Sequence, residues 1–340
     1  MPKRIVFCAD GTWNTPASQT NVYRLYKALT TAPEQAPYYD EGVGNDDATP
    51  LENRLEGLVG EGLLQKVRDG YTKVASNYRP GDRIFLFGFS RGAFTVRSIA
   101  GMIALCGLPT ANFDDAMVDI AFRAYRHKFE RTALLTQLNA RYAIADAKID
   151  MIGAWDTVGA LGIPAIWGGV DPLDGFLDTD LHPDVLHAYH ALSIDERRAG
   201  FHPTLWTNPA PGQTLEQVWF AGTHGDVGGY NPPEANGTRL ADAPLAWMLS
   251  KAAALGLTFA PLPFDPASAR DPLHETWSHV WGPPRERTID PQASISNTVA
   301  LRCAADASYR PINLSFDPSG QLSTRYHQVD VAAATAPAAS

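Results

Sequence analysis

Residues 4–9 carry an uninterrupted apolar run, IVFCA, that stops at Asp10-Gly11. A run of that length bounded by a turn signal predicts a strand buried on both faces. Residues 21–30 predict a helix, and 37–44 predict a short strand running into a glycine-rich loop. From Gly57 to Tyr78 the apolar residues Leu63, Leu64, Val67, Tyr71, Val74 and Tyr78 return at mostly three- and four-residue spacing, which predicts a helix. Arg79-Pro80-Gly81-Asp82 stops it, Ile84 to Phe89 form the next apolar run, and a helical pattern resumes from Gly92 to Leu105. Strands alternating with helices predict an α/β fold with a mostly parallel central sheet covered on both faces. Two further apolar runs, within 147–159 and 215–230, also end in polar loops containing glycine. Functional groups of open α/β sheets gather at such carboxyl ends.

Between these elements the pattern changes. Residues 108–146 are mainly helical, 161–190 are rich in Pro, Gly, Trp and Asp, and 259–295 are proline-rich and predict a long surface excursion. All three are expected as insertions in a single domain spanning 1–330, the first two over the catalytic face, with 331–340 a flexible tail. The segment YHALSIDERR, 189–198, looks helical, and its charge run, Asp195 to Arg198, fits a solvated face.

Composition narrows the function classes. The 340 residues are 45% hydrophobic and 19% charged, as in a folded protein. A formal net charge of -9 leaves no basic excess to neutralise phosphates, which argues against a nucleic-acid partner. It also leaves membrane attraction through a basic patch unsupported, while an apolar surface for transient membrane contact stays compatible. Cys8, Cys106 and Cys303 are odd in number and widely spaced, so small core hydrophobes in a reducing compartment are expected rather than disulfides. There is no signal-peptide core and no run of the ~20 apolar residues that spans a bilayer. The expected setting is cytoplasmic, with export open only to a secretion route that reads no such signal.

Chemistry concentrates at Gly88-Phe89-Ser90-Arg91-Gly92, where an apolar strand meets a helix. A serine hydroxyl is a poor nucleophile unless a base and an orienting group serve it. Gly-x-Ser-x-Gly at a strand-to-helix turn is the pattern of a nucleophile elbow, with Gly88 and Gly92 making room for the turn and the Arg91 amide at the helix start facing a developing oxyanion. The bland alternative is an ordinary turn with a capping serine. An acid and a histidine are then expected downstream, each after a later strand. Asp156 follows MIGAW directly, its alternative being a cap. Of nine histidines, His224 alone comes directly after a strand-like run, with His327 as a late-chain alternative.

Other residues take supporting roles. Asp226 is too close to His224 along one tight loop to orient its ring and is assigned to shaping that loop. Asp10 ends the first strand at the same sheet edge, where the amide of Gly11 or Thr12 is expected to supply a second oxyanion donor. His182, His187 and His190 imitate a metal cluster only in spacing, and no cofactor or metal is expected. Gly57 to Gly62, GLVGEG, imitates a dinucleotide loop but lacks the preceding strand.

Taken together, VFCADGTWN, GDRIFLFGFSRGAFTVRSIAG, GAWDTVGA, ALSIDERRAGFHP and VWFAGTHGDVGGY, in that order, resemble an α/β-hydrolase domain family that includes phospholipase effectors of bacterial type VI secretion systems. The resemblance spans about residues 3 to 250. It implies a triad of Ser90, Asp156 and His224, a lipid-ester substrate, an immunity protein as partner if the chain is an effector, and a buried pairing within Asp195 to Arg198. The chain departs from it in DVGGY, where two glycines stand in place of the common three. A small-ester or polyester hydrolase and an acyltransferase would use the same triad, and a non-catalytic interaction module would keep the fold alone. The Trp-containing stretch in 161–190 suits an apolar rim for acyl chains.

Overall fold

A computed structural model of the chain describes residues 2–44, 58–158 and 179–331. Ten strands lie among the described residues: β1 (Arg4–Ala9), β2 (Gln35–Asp40), β3 (Arg83–Phe89), β4 (Leu108–Pro109), β5 (Ile144–Ala145), β6 (Met151–Trp155), β7 (His187–Ser193), β8 (Thr214–Phe220), β9 (Ser294–Ser296) and β10 (His327–Val329). The helices are α1 (Asn21–Ala28), α2 (Leu58–Asn77), α3 (Arg91–Cys106), α4 (Asp115–Arg126), α5 (Arg131–Arg141), α6 (His224–Gly228), α7 (Asp242–Ala254) and α8 (Asn297–Ala305). Eight strands form one sheet in the order β10-β9-β8-β7-β6-β3-β1-β2, and every neighbouring pair is parallel.

The unbroken apolar runs follow from burial on both faces. Ile5, Phe7 and Ala9 of β1, with Ile84 and Leu86 of β3, pack under α2 and α3. The residues between them, Val6, Cys8, Phe85, Phe87 and Phe89, pack on the opposite face with Val22 and Leu25 of α1 and Trp247 and Met248 of α7. Neither face can be polar, so the alternation expected of a half-exposed strand is lost. A third apolar cluster, with Trp219, Ile295, Val299 and Cys303, seats α8 near the β9 end. Cys8, Cys106 and Cys303 are all buried free thiols.

β1 leads outward to β2, and the chain then crosses back to place β3 on the other side of β1. The carboxyl ends of β1 and β3 therefore flank the point where strand order reverses, the place where such sheets hold ligands. Residues 108–146 hold α4 and α5, packed by Met117, Val118, Ala121, Leu134 and Leu138 into the core under α2 and α3. The antiparallel pair β4–β5 ties its two ends together.

Two expectations need correction. Residues 189–193 are not helical but lie in β7, and 194–198 are an irregular loop. The helix-favouring charges stand beyond the strand, whose Ala188, His190, Ala191, Leu192 and Ser193 are fully buried between β6 and β8. The stretch 259–295 is more than a surface excursion, because Arg287 within it is 2% exposed and reaches Asp156, just past the carboxyl end of β6. Residues 161–178 of the Trp-containing stretch, residue 57 of the glycine run and 332–340 of the tail lie outside the described residues. No described helix is long and apolar enough to cross a membrane.

Candidate active site

Ser90 stands one residue past β3, at φ 56° and ψ -121°. L-residues avoid this region because Cβ crowds the backbone, so surrounding structure must enforce it. The enforcing contacts are close. The Ser90 N–H donates to Trp155 O at 2.9 Å, tying the turn to the end of β6, and Ser90 O accepts from Phe94 N at 3.3 Å. A Cβ on Gly88 would lie 2.4 Å from Gly92 O, and one on Gly92 would lie 2.2 Å from Ala9 O. Any side chain at either position would push α3 away from β1 and β3.

Asp156 stands one residue past β6, fully buried and at φ 43°. Its N–H donates to Ala191 O at 2.8 Å, and its Oδ1 accepts from Ser193 N at 2.9 Å, so β7 holds both its backbone and its carboxylate. His224 opens α6. The Asp226 carboxylate there accepts from Thr223 N at 2.9 Å and Thr223 Oγ1 at 3.1 Å. Asp226 also accepts from Asn231 Nδ2 at 2.7 Å and lies 2.7 Å from His274 Nδ1, so the ring it meets is His274 and not His224.

The three side chains meet. Asp156 Oδ2 lies 2.6 Å from His224 Nδ1, and His224 Nε2 lies 2.9 Å from Ser90 Oγ. An ionised carboxylate only accepts, so Nδ1 carries the hydrogen and Nε2 is left to accept from the Ser90 hydroxyl. The imidazole is wedged between Phe89, at 4.6 Å between ring centres, and the edge of Phe201, at 5.0 Å. Its backbone N–H donates to Glu196 Oε2 at 3.2 Å. Burial lowers the proton affinity of His224, opposed by the hydrogen bond and charge of Asp156. Burial alone would raise the Asp156 carboxyl, but the Arg287 charge and the bonds from His224 and Arg287 outweigh it and hold the group well below the usual carboxylate range.

Arg287 is the residue that sequence reasoning missed. Its Nη1 donates to Asp156 Oδ1 at 2.6 Å and its Nη2 to Asp156 Oδ2 at 2.8 Å. The same two nitrogens donate to Ser193 O at 2.8 Å and Phe201 O at 2.7 Å. Nothing local in PPRERTID marks it, because its partners lie more than 80 residues upstream. The Asp195 to Arg198 run is not a solvated face. Glu196 is 1% exposed and accepts from Arg198 Nε at 2.9 Å and Arg198 Nη2 at 2.8 Å, while Asp195 accepts from Gly222 N at 2.7 Å and the Tyr309 hydroxyl at 2.8 Å.

The candidate oxyanion donors separate. The Gly11 N–H is taken by Asp10 Oδ1 at 2.8 Å, which corrects its placement among the donors. Asp10 Oδ2 accepts from Thr20 Oγ1 at 2.6 Å and the Tyr39 hydroxyl at 2.8 Å, and burial pushes its carboxyl up to about 6 despite these bonds. The amides of Thr12 and Arg91 have no hydrogen-bond partner among the described residues. His327 is exposed on the edge strand β10, five strands from β3, or about 24 Å at the usual strand spacing. Buried His190 accepts from Thr157 N at 3.0 Å through Nε2, and His182 and His187 do not join it in a ligand set among the described residues. A cavity of about 310 Å³ lies beside α3 and is lined by Phe94, Arg97, Thr157 and Trp206, but not by Ser90 or His224. Geometry, not cavity size, therefore marks the site.

Residues 3–251 match the family described as T6SS, Phospholipase effector Tle1-like, catalytic domain. A curated relative, the uncharacterized protein YEL023C of Saccharomyces cerevisiae, is 32% identical over 236 residues, covering 62% of this chain and 33% of its own. Among solved structures, the Tle1 effector bound to the VgrG spike from the type 6 secretion system is similar with TM-score 0.40 and 19% identity, over 68% of this chain and 52% of that one. An uncharacterized protein from Pseudomonas aeruginosa is similar with TM-score 0.47 and 18% identity, over 77% and 48%. The chain thus spans about a third of the yeast relative's length and about half of each structural neighbour's. By the family match over its first three quarters, the chain belongs to the Tle1-like phospholipase effector catalytic-domain family.

Proposed function

We propose that the chain is a serine hydrolase that cleaves carboxylic ester bonds of lipids through Ser90, His224 and Asp156. The observation that carries this reading is the pair of short contacts, 2.9 Å from Ser90 Oγ to His224 Nε2 and 2.6 Å from His224 Nδ1 to Asp156 Oδ2, on a strained turn. As Ser90 Oγ attacks the ester carbonyl carbon, its proton passes to His224 Nε2. The imidazolium is stabilised by Asp156, and the carbonyl oxygen takes up the charge facing the free amides of Arg91 and Thr12. Collapse expels the alcohol, which takes the proton from His224 and leaves an acyl group on Ser90. Water, deprotonated by His224, then releases the acid.

Lipid as the substrate class is supported by the family and by an apolar rim. Trp13 lies under the Arg91 guanidinium and Trp281 lies edge-on to Phe201, and they are 46% and 45% exposed. Large exposed aromatics beside a reacting serine suit acyl chains better than small polar esters. The reaction class is tested with a fluorophosphonate probe. Wild type is expected to gain one probe on the Ser90 peptide, Ser90→Ala none, and His224→Ala to react at least ~10³-fold more slowly. Equal labelling of Ser90→Ala, or an unslowed His224→Ala, contradicts the assignment.

A further inference from the structure

Three buried groups set the charge at the base: Asp156, His224 and Arg287, at 0%, 3% and 2% exposure. With His224 neutral, the carboxylate and the guanidinium balance. Take Arg287 away and the balanced state becomes Asp156 with a proton already trapped on His224. A buried pair favours whichever protonation state leaves no uncompensated charge. Geometry points the same way, since the guanidinium meets both carboxylate oxygens and is itself fixed by Ser193 O and Phe201 O, the latter belonging to the residue whose ring packs on His224.

The other charged groups near the ring do not replace it. Glu196, which accepts from the His224 backbone N–H, is already paired with Arg198. Asp226 meets His274, and His190, beyond Thr157, is a buried neutral acceptor. Among the described residues Arg287 is the cation bonded to Asp156. It also lies beyond residues 3–251, the span the family match covers.

We propose that Arg287, supplied from outside the matched catalytic segment, is a positioning residue of the triad that fixes both oxygens of Asp156 and offsets its charge, so that His224 is held neutral as the base. The inference rests on reading Ser90, His224 and Asp156 as a triad, but it makes a claim about the histidine–aspartate pair that can be measured without turnover. Arg287 bonds to neither Ser90 nor His224 and acts through Asp156, both of whose oxygens it meets.

The test compares wild type, Arg287→Gln and Arg287→Lys in the full chain by two readouts from pH 5 to 9. One is the rate of fluorophosphonate labelling, and the other is the NMR titration of the His224 imidazole. In Arg287→Gln both midpoints are expected to rise by about 1 pH unit, so labelling drops several-fold at pH 6, approaching ~10-fold at lower pH, and recovers toward pH 9. Arg287→Lys, whose shorter ammonium reaches one oxygen at most, is expected to move the midpoint the same way by about half as much. A merely structural role would slow labelling by one factor at every pH and leave both midpoints in place, and that result overturns the proposal. Should Arg287→Gln fail to fold, an unmoved or lowered midpoint in Arg287→Lys overturns it equally. A displaced His224 titration in a protein whose Ser90 never labels would refute the hydrolase reading while the role of Arg287 stands.

Discussion

At the scale of single residues, Ser90 and its two flanking glycines depend on one another. The serine's left-handed backbone at φ 56° exists because α3 begins almost in contact with β1, and that approach is set by the missing side chain at Gly92. Gly92→Ala would drive a methyl group to 2.2 Å from Ala9 O, a backbone atom of a central strand that cannot move aside. The expected loss is about 3 kcal/mol or more of stability, together with the Ser90 geometry, measured by chemical denaturation and probe labelling of the same sample. A fully stable, fully labelled variant would show that the close crossing is not what holds the turn. That Ser90, Asp156 and His224 stand beyond buried strands was legible in the sequence for a physical reason: each follows an apolar run that had to be a buried strand. Arg287 was not, since a lone arginine in a proline-rich stretch gives no sign of a partner 131 residues away.

Among elements, legibility followed burial. β1, β3 and α3 were readable because both faces of the strands and most of the helix are apolar, leaving no competing period. β7 was misread because it is short in branched residues and runs into Asp195 to Arg198, whose charges imitate an exposed helix. Only its neighbours in the sheet reveal it. The strand matters to the proposed chemistry, since Ala191 O and Ser193 N hold Asp156 while Ser193 O holds Arg287. Gly11 differed from expectation for a local reason as well: Asp10 folds back on the amide that follows it, a common habit of aspartate in turns, and so leaves Thr12 as the first free donor.

For the whole molecule, the parallel sheet followed from the alternation of strands and helices, whereas the order of its last strands did not, because β9 and β10 are three residues each and return after long irregular stretches. The folded chain also carries an acid sensitivity. Burial, reinforced by the Arg97 charge, pulls His190 down to about 3, and burial lowers His224 too. Both histidines bind a proton more readily unfolded than folded, so the stability they contribute is complete above their unfolded pKa of ~6.5 and is lost as pH falls below it. Asp156, held low, adds a loss in the same direction below ~4. Asp10 and Asp195, whose carboxyls burial raises to about 6, take up protons more readily folded and oppose this loss over the same range. The histidine part is therefore read by comparison: from pH 7.5 to 5.5 wild type is expected to lose about 1 kcal/mol more than His190→Gln, whose amide oxygen can still accept from Thr157 N. The same change in melting temperature for both proteins would mean that His190 is not buried neutral.

The central claim is that a strained serine at the β3–α3 turn hydrolyses lipid esters. Its most direct test is release of fatty acid from phospholipid vesicles and long-chain esters, set beside p-nitrophenyl acetate, by wild type and Ser90→Ala. The account predicts turnover of the long-chain and phospholipid substrates well above the acetate, abolished in Ser90→Ala. Turnover confined to the acetate, or surviving loss of the Ser90 hydroxyl, would contradict it.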